Sequence, residues 1–133
     1  MGFPSSEQAA LAGDRAGRTT YVLASAVGTD AAVVILMDPA WAQPDRVDCE
    51  RTDDGWVETT SGSGQTCWWS TSDESDVGVL ASWGKAEEGA TGVVVSFMGT
   101  TTRLPVTNGH WAWIVEGVPE GAVDEPADFR WLK

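Results

Sequence analysis

The sequence has few of the residues on which enzyme and metal chemistry depends. Its 133 residues include one histidine, two cysteines and eight basic residues against twenty acidic ones. It contains no Walker loop, dinucleotide-binding glycine motif, HExxH pattern or GxSxG nucleophile motif. The paired cysteine and histidine spacings of zinc sites are also missing. We therefore expect no catalytic residues, no bound metal and no cofactor.

The scarcity of basic residues limits the partners that the chain can bind. The net charge is -12, and an acidic surface repels phosphate, so neither nucleic acid nor an anionic membrane is an expected partner. The longest apolar run, Ala31–Met37, is far shorter than the roughly 18 residues of a membrane span. Residues 1–17 lack the basic start and long apolar stretch of a signal peptide. We predict a cytoplasmic protein whose partner is a protein with a basic surface.

Hydrophobic periodicity predicts an all-β fold in a single domain over residues 1–133. We expect an antiparallel sandwich or open barrel of about nine to ten strands, because short apolar segments alternate closely with turn residues. A short N-terminal helix is predicted over 5–13, where a serine can cap it. Residues 19–71 predict a hairpin followed by a three-stranded meander, and residues 77–132 predict further antiparallel strands.

Turn residues divide these strands at defined places. The segment Gly28–Asp30 predicts a three-residue hairpin loop, and two turns, at Asp53-Asp54 and over Ser61–Gly64, separate the strands of the meander. Asn108-Gly109 is the strongest hairpin signal, since both residues tolerate positive φ. Pro105 has no amide hydrogen, which predicts either an edge position for its strand or a bulge at that residue.

The register of the meander has consequences for the two cysteines. It places Cys49 opposite Glu58, Glu58 opposite Cys67, and Trp56 opposite Trp69. Two cysteines on either side of an intervening strand lie about 9–10 Å apart. Because a disulfide needs Cα atoms within about 7 Å, both thiols are predicted to be free.

Tryptophan is the residue present in unusual excess. Eight occur in the chain, and filling the core of a small β-protein is their ordinary role. The alternative is a binding face, for which Trp68 is the leading candidate because the rest of its strand face is polar. Trp111 and Trp113 share a face and are further candidates.

Three acidic residues follow this tryptophan strand closely. Asp73, Glu74 and Asp76 are predicted to belong to the same binding surface as Trp68. Carboxylates so grouped can also hold a hard cation such as calcium, but they lack the glycine turn and regular spacing of an EF-hand loop. A solvated acidic loop is the simpler interpretation.

Two blocks of sequence carry a resemblance to other proteins. They are AAVVILMD…DRVDCERTDDGWVETTSGSG and DVGVLASWGKAEEGATGVVVSFMGTTTRLPVTNGHWAWIVEGVP. Over residues 20–118, the chain resembles small uncharacterised β-rich proteins of actinobacteria. The shared pattern consists of glycine, tryptophan and hydrophobic spacings. The resemblance implies a β-rich fold and brings no activity and no site residue with it.

Three functional hypotheses follow from the sequence. The first is a non-enzymatic, acidic β-sandwich that binds a protein partner, such as an immunity-type or accessory protein. The second is a carbohydrate-binding module that uses exposed Trp68 or Trp111. The third is a small hydrolase built on a carboxylate pair or on Cys67, for which His110 is the one histidine that can act as a base. Cys49, Glu58 and Cys67 could together form a metal set, but their spacing matches no zinc motif.

Overall fold

The computed structural model describes residues 2–13, 17–62, 64–70 and 76–133 and confirms a mostly-β architecture. Ten strands form three antiparallel sheets that do not close into a barrel, and one short α-helix precedes them. Helix α1 spans Ser6–Leu11, and a single 3-10 turn spans Glu120–Ala122. The strands are β1 (Tyr21–Val27), β2 (Ala31–Met37), β3 (Asp45–Thr52), β4 (Gly55–Gly62), β5 (Thr66–Ser70), β6 (Val77–Lys85), β7 (Gly92–Phe97), β8 (Thr100–Pro105), β9 (His110–Pro119) and β10 (Ala127–Leu132). In the part of the chain that is described, no helix is both long and apolar enough to cross a membrane.

The sheets stack in layers with apolar packing between them. Sheet A has the strand order β1-β2-β3-β4, sheet B the order β5-β6-β9, and sheet C the order β10-β7-β8. Helix α1 covers the outer face of sheet A, while the other face of sheet A packs on sheet B. Sheet C covers the remaining face of sheet B. Sheet B is therefore the middle layer of a stacked sandwich.

The continuous apolar run of β2 is explained by this stacking. All residues from Ala31 to Leu36 are buried, with Val34 packed beneath the helix and Val33 packed against sheet B. A strand that is covered on both faces has no solvent side, so its sequence need not alternate. Strand β6, which lies in the middle of sheet B, is buried from Gly78 to Gly84 for the same reason.

Helix α1 confirms the predicted helical segment. The side-chain oxygen of Ser5 accepts a hydrogen bond of 3.2 Å from the backbone N–H of Gln8, which satisfies one of the free amides of the first turn. The buried face of the helix includes Ala9 and Ala10. Their small side chains allow the helix to lie close to sheet A.

Strands β3 and β4 form the hairpin that the sequence predicts. Arg51 lies opposite Trp56, and Cys49 lies opposite Glu58, as expected. A bulge between Asp48 and Cys49 then shifts the pairing by one residue. The first two strands of the predicted meander are therefore correct near the turn.

The predicted third strand of the meander was wrong, because β5 belongs to sheet B. Cys67 lies opposite Ala81 and Trp69 lies opposite Val79, both on β6. The expected pairs of Cys67 and Trp69 with residues of β4 do not form. Local sequence favoured a hairpin, but the apolar faces of β5 are covered by the two neighbouring layers instead.

The segment Ser61–Gly64, whose Ser63 lies outside the described residues, connects two layers and is not the predicted hairpin turn. The carbonyl of Gly64 accepts hydrogen bonds from Nη1 of Arg46 at 2.7 Å and from Nε1 of Trp83 at 3.1 Å. These bonds fasten the crossing to sheet A and to sheet B. Small polar residues suit a layer crossing as well as a tight turn, so the sequence did not distinguish them.

The turn at Asn108-Gly109 forms as predicted, with φ values of 52° and 74°. It joins strands of different sheets, since β8 pairs with β7 and β9 pairs with β6. A bridge between Thr107 and His110 is the hairpin contact next to the turn. Pro105 ends β8, which is an edge strand as expected.

Candidate binding surface

All eight tryptophans are buried or half-buried, and they are shared among the three packing interfaces formed by α1 and the stacked sheets. Between α1 and sheet A lie Trp41 and Trp56; between sheets A and B lie Trp69 and Trp83; between sheets B and C lie Trp68, Trp111, Trp113 and Trp131. Each of these interfaces thus contains at least two large aromatic rings. This distribution accounts for the tryptophan excess as core packing.

The tryptophans singled out from the sequence lie between sheets B and C. Nε1 of Trp68 donates a hydrogen bond of 2.9 Å to the carbonyl of Val118. Trp111 is 8% exposed and Trp113 is 3% exposed. Trp68, the leading candidate for a binding ring, is half-buried because sheet C covers its face of sheet B. The ring faces that sugar stacking requires are therefore covered.

Two glycines of β6 make room for these indole rings. A Cβ added at Gly78 would lie 2.8 Å from the ring of Trp68, and one added at Gly84 would lie 2.9 Å from the ring of Trp111. Real Cβ atoms do not approach ring carbons so closely. The rings consequently pack directly against the backbone of the middle sheet.

The acidic part of the predicted surface is described only at Asp76, since Asp73 and Glu74 lie outside the described residues. Asp76 immediately precedes β6, and its carbonyl accepts a hydrogen bond of 3.0 Å from the N–H of Glu120. Among the described residues, no three His, Cys, Asp or Glu side chains are grouped as ligands for a metal ion. The interpretation of these acids as a solvated loop stays a prediction.

Both cysteines are free thiols, as predicted, although the reason differs from the expected one. Cys49 faces the helix side of sheet A, with its sulfur 3.7 Å from the carbonyl of Ser6. Cys67 lies in sheet B and packs in the layer between sheets A and B. The sheet that carries Cys49 therefore separates the two thiols.

Neither thiol has the character of a nucleophile. Burial raises the pKa of Cys67 to about 11, with the negative charge of Asp48 adding to the rise. Burial raises the pKa of Cys49 to about 12, assisted by Glu58 and then Asp48. Since the thiolate is the reactive form, both side chains are inert near neutral pH.

The distance between Cys67 and His110 also opposes a catalytic pair. On β6, the neighbour of Cys67 is Ala81 and the neighbour of His110 is Lys85. Four residues of a strand, at about 3.3 Å each, displace the two positions by about 13 Å along β6, and β6 itself lies between β5 and β9. Nδ1 of His110 lies 2.9 Å from the carbonyl of Asn108, in the turn. The thiol form of the hydrolase hypothesis therefore has no support in this geometry.

A buried ion pair occupies the polar part of the layer between sheets A and B. Nε of Arg46 lies 3.1 Å from Oδ1 of Asp48, and both side chains are almost fully covered. Oδ2 of Asp48 accepts a hydrogen bond of 2.7 Å from the hydroxyl of Thr60, and Sγ of Cys67 lies 3.9 Å from Oδ1. The group has its hydrogen-bonding capacity used internally, which indicates a structural role.

The β1–β2 loop, the end of β9 and the β7–β8 turn meet at one end of the stacked sheets. The carboxylate of Glu116 on β9 accepts hydrogen bonds from the backbone N–H groups of Thr29 and Asp30 in the β1–β2 loop. At the opposite end, Nδ2 of Asn108 donates to the carbonyl of Val22. The same end of sheet B as Glu116 adjoins the β7–β8 turn, since Met98 and Pro119 line one hollow.

We call the end that carries Glu116 the acidic end. It comprises the loops there and the charged residues that line the adjacent hollows. In the described part of the chain it carries one base, Arg51, and nine acids. These acids are Asp30, Glu50, Asp53, Asp54, Asp76, Glu116, Glu120, Asp124 and Glu125. The opposite end is mixed, because Arg18, Lys85 and Lys133 lie there with Asp38, Asp45, Glu87 and Glu88. The tertiary structure thus concentrates the net negative charge at one end.

Two of the hollows at the acidic end open on either side of the Glu116-Gly117 segment. The first, here called the β8–β9 hollow, has a volume of about 170 Å³ and is lined by Phe97, Met98, Thr100, Thr102, Trp113, Val115, Glu116, Gly117, Val118 and Pro119. The second, the A–B hollow, has a volume of about 410 Å³ and is lined by Asp30, Ala31, Glu50, Arg51, Trp69, Ser70, Val77, Glu116 and Gly117. The first is mainly apolar, whereas the second has charged walls.

Apolar side chains are exposed among these acids. Val27 at the end of β1, Val77 at the start of β6 and Met98 in the β7–β8 turn are each at least 40% exposed. An apolar centre with a polar and charged rim is the usual anatomy of a protein interface. The acidic end combines both features on one surface.

Sequence reasoning missed Glu116 and Met98. Glu116 follows the apolar run of β9 as one acid among twenty, and its role depends on the folding of β1 and β2 beside it. Met98 offered a signal, since Met-Gly stands where a tight turn between strands favours Asn-Gly. Its φ of 48° confirms that the turn requires a left-handed residue.

Comparison with family models, curated proteins and solved structures finds no match for this chain.

Proposed function

We propose that this protein is a non-enzymatic binding domain whose acidic end docks onto a basic surface of a protein partner. The observation that carries the proposal is the segregation of charge, with nine acids and one arginine at one end of the described chain. A concentrated field of one sign steers an oppositely charged partner and selects against acidic ones.

The surroundings of the acids support a protein partner over a simple counter-ion. Exposed Val27, Val77 and Met98 supply apolar contact area between the carboxylates. Free ions gain nothing from such area, whereas a protein surface gains from both the apolar centre and the charged rim. An immunity-type or accessory role, in which the domain covers a basic site on another protein, agrees with this combination.

The rigidity of the acidic end also favours binding. Glu116 fastens the β1–β2 loop to β9 through two backbone N–H groups, and the N–H of Glu120 fastens the 3-10 turn to Asp76. Loops held in place lose less conformational entropy on association. The surface is therefore preorganised.

The test is a titration with a lysine-rich pentapeptide, acetyl-KKFKK-amide, followed by nuclear magnetic resonance shifts of the acidic end. We expect binding to weaken steeply from about 0.01 M to about 1 M salt, as the Debye length falls from about 30 Å to about 3 Å. The double variant Glu120→Gln/Glu125→Gln should weaken binding. The matched control Glu87→Gln/Glu88→Gln, at the opposite end, removes the same charge and should have little effect. Equal weakening by both double variants would contradict the proposal.

A further inference from the structure

Strands β8 and β9 diverge from the Asn108-Gly109 turn toward the acidic end. The bridge between Thr107 and His110 joins them beside the turn. Beyond it, β8 pairs with β7 in sheet C and β9 pairs with β6 in sheet B. Both are edge strands of their sheets. The gap between them widens into the β8–β9 hollow.

The β8–β9 hollow has the size and chemistry of a site for one aromatic ring. Its volume is about 170 Å³, and an apolar cavity of about 150 Å³ in another protein binds benzene. Its inner wall includes Phe97 and Trp113, whose rings meet edge to face with centroids 5.3 Å apart. A third ring can extend this packing, since aromatic rings favour such edge-to-face contacts.

Met98 lies at the rim of the hollow in a conformation that its side chain does not favour. The turns Met98-Gly99 and Asn108-Gly109 have matching φ values of 48° and 79° against 52° and 74°. Asn suits the first position and Met does not. Met98 is 57% exposed, and a flexible thioether adapts to the shape of an incoming apolar group. A strained residue beside an open apolar site is typical of a binding position.

The charges near the hollow define what accompanies the ring. Glu116 lines the hollow, Glu120 follows its Pro119 wall, and Asp124 and Glu125 precede β10, whose Ala127 lies opposite Phe97. A ligand that brings an aromatic ring here therefore brings its neighbouring groups against carboxylates. Those groups are favoured when they are cationic.

We propose that the β8–β9 hollow binds an aromatic side chain of an extended, lysine- or arginine-rich segment of the partner protein. This inference rests on the proposed function and specifies its site. The ring fills the hollow, and the flanking cations lie over the carboxylates at its rim. The backbone of the segment runs along the edge strand β8, in the manner of peptides that add to the edge of a sheet.

The experiment compares acetyl-KKFKK-amide with acetyl-KKAKK-amide and acetyl-EEFEE-amide on the unaltered protein. We expect the phenylalanine in the basic peptide to increase affinity about tenfold or more over alanine. The indole resonance of Trp113 and the methyl resonance of Met98 should shift with KKFKK alone. This comparison needs no altered protein, so it does not depend on the folding of a variant.

A pair of adjacent residues supplies the matched variants. Thr102 lines the hollow, while Thr101 lies on the outer face of the same strand. Thr102→Phe should fill the hollow and abolish the difference between KKFKK and KKAKK. Thr101→Phe adds the same ring to the same strand and should leave that difference intact.

The possible failures are distinguishable. If KKAKK binds as tightly as KKFKK, with a steep salt dependence, the hollow is not the site but the proposed function stands. A phenylalanine effect that persists in Thr102→Phe places the ring elsewhere and also overturns the inference. Equal affinity for EEFEE and KKFKK would show that the cationic flanking residues do not contribute to binding, which overturns the inference. Absence of binding by any peptide at low salt overturns the proposed function as well.

Discussion

Arg46 and Asp48 form an ion pair inside the protein, with Nε of Arg46 3.1 Å from Oδ1 of Asp48. They are two residues apart on β3, so both side chains point to the same face, into the layer between sheets A and B. Thr60 and the carbonyl of Gly64 provide further hydrogen bonds to the pair. The charges of the acidic end are exposed, whereas these two are enclosed, and the two sets have different consequences for stability.

Removing one member of the buried pair should cost much of the protein's stability. Asp48→Ala leaves the Arg46 guanidinium buried without its carboxylate, and we expect the free energy of unfolding to fall by about 3–5 kcal/mol. Urea denaturation measures this. The control Glu87→Ala breaks the exposed pair with Lys133, whose charged atoms are 3.3 Å apart; its expected cost is about 0–1 kcal/mol. Similar losses in the two variants would contradict the buried-pair interpretation.

The two thiols should make stability depend on pH in the alkaline range. The unfolded chain releases both thiol protons near pH 9, while the folded chain keeps them up to about pH 11 at Cys67 and about pH 12 at Cys49. The folded state therefore binds more protons in this range, and the free energy of unfolding falls as pH rises. Below pH 9 the contribution is fully present.

The measurement compares the protein with Cys49→Ala/Cys67→Ala by urea denaturation at a series of pH values. The difference between them should be constant near neutral pH and shrink through the alkaline range, because other titrating groups cancel in the comparison. Iodoacetamide should leave both cysteines of the folded protein unlabelled near neutral pH. Rapid alkylation of Cys67 would show that its thiolate is accessible and would refute the assignment.

The close contact between Gly78 and Trp68 predicts a large effect for the smallest possible substitution. Gly78→Ala places a methyl group 2.0 Å from the carbonyl oxygen of Trp69 and 2.8 Å from the indole of Trp68. We expect a loss of stability of about 1–3 kcal/mol from the forced overpacking. Gly121→Ala is the control, since an added Cβ there meets no atom within 4 Å. Thermal denaturation of the two variants should differ clearly; a normal melting temperature for Gly78→Ala would argue against the packing.

Exchanging the first residues of the Met98-Gly99 and Asn108-Gly109 turns tests whether Met98 lowers the free energy of unfolding. Met98→Asn should raise the free energy of unfolding by about 1 kcal/mol, because Asn tolerates the left-handed conformation. Asn108→Met should lower it by at least as much, since it also removes the 3.0 Å hydrogen bond to the carbonyl of Val22. If Met98→Asn leaves stability unchanged or reduces it, the conformation imposes no strain on methionine. Chemical denaturation of the two variants decides between these outcomes.

The elements that the sequence predicted well have local causes. Helix α1 follows from a serine cap and a short run of helix-forming residues, and the β3–β4 hairpin follows from its two-residue acidic turn. The Asn108-Gly109 turn is dictated by the tolerance of both residues for positive φ. In each case the atoms that determine the structure lie within a few residues of one another.

The elements that were predicted wrongly depend on contacts between layers. A hairpin and a crossing to another sheet begin with the same small residues, so nothing local assigned β5 to β6 rather than to β4. The polar face of its own strand made Trp68 a binding candidate, and only the position of sheet C shows that its face is covered. The candidate surface shared this limit: Asp76 was identified from the sequence, while Glu116 and Met98 acquired their positions only when distant strands met.

The sequence by itself determined the strand content, the excess of tryptophan and the strong negative charge, because each is a property of composition or of neighbouring residues. The tertiary structure alone decided that the chain forms three stacked sheets, that the two thiols lie on opposite sides of sheet A, that the tryptophans fill the interfaces between α1 and the three sheets, and that acids gather at one end. Strand pairing across layers is fixed by the mutual burial of apolar faces that are far apart along the chain, and short-range patterns do not encode which faces meet.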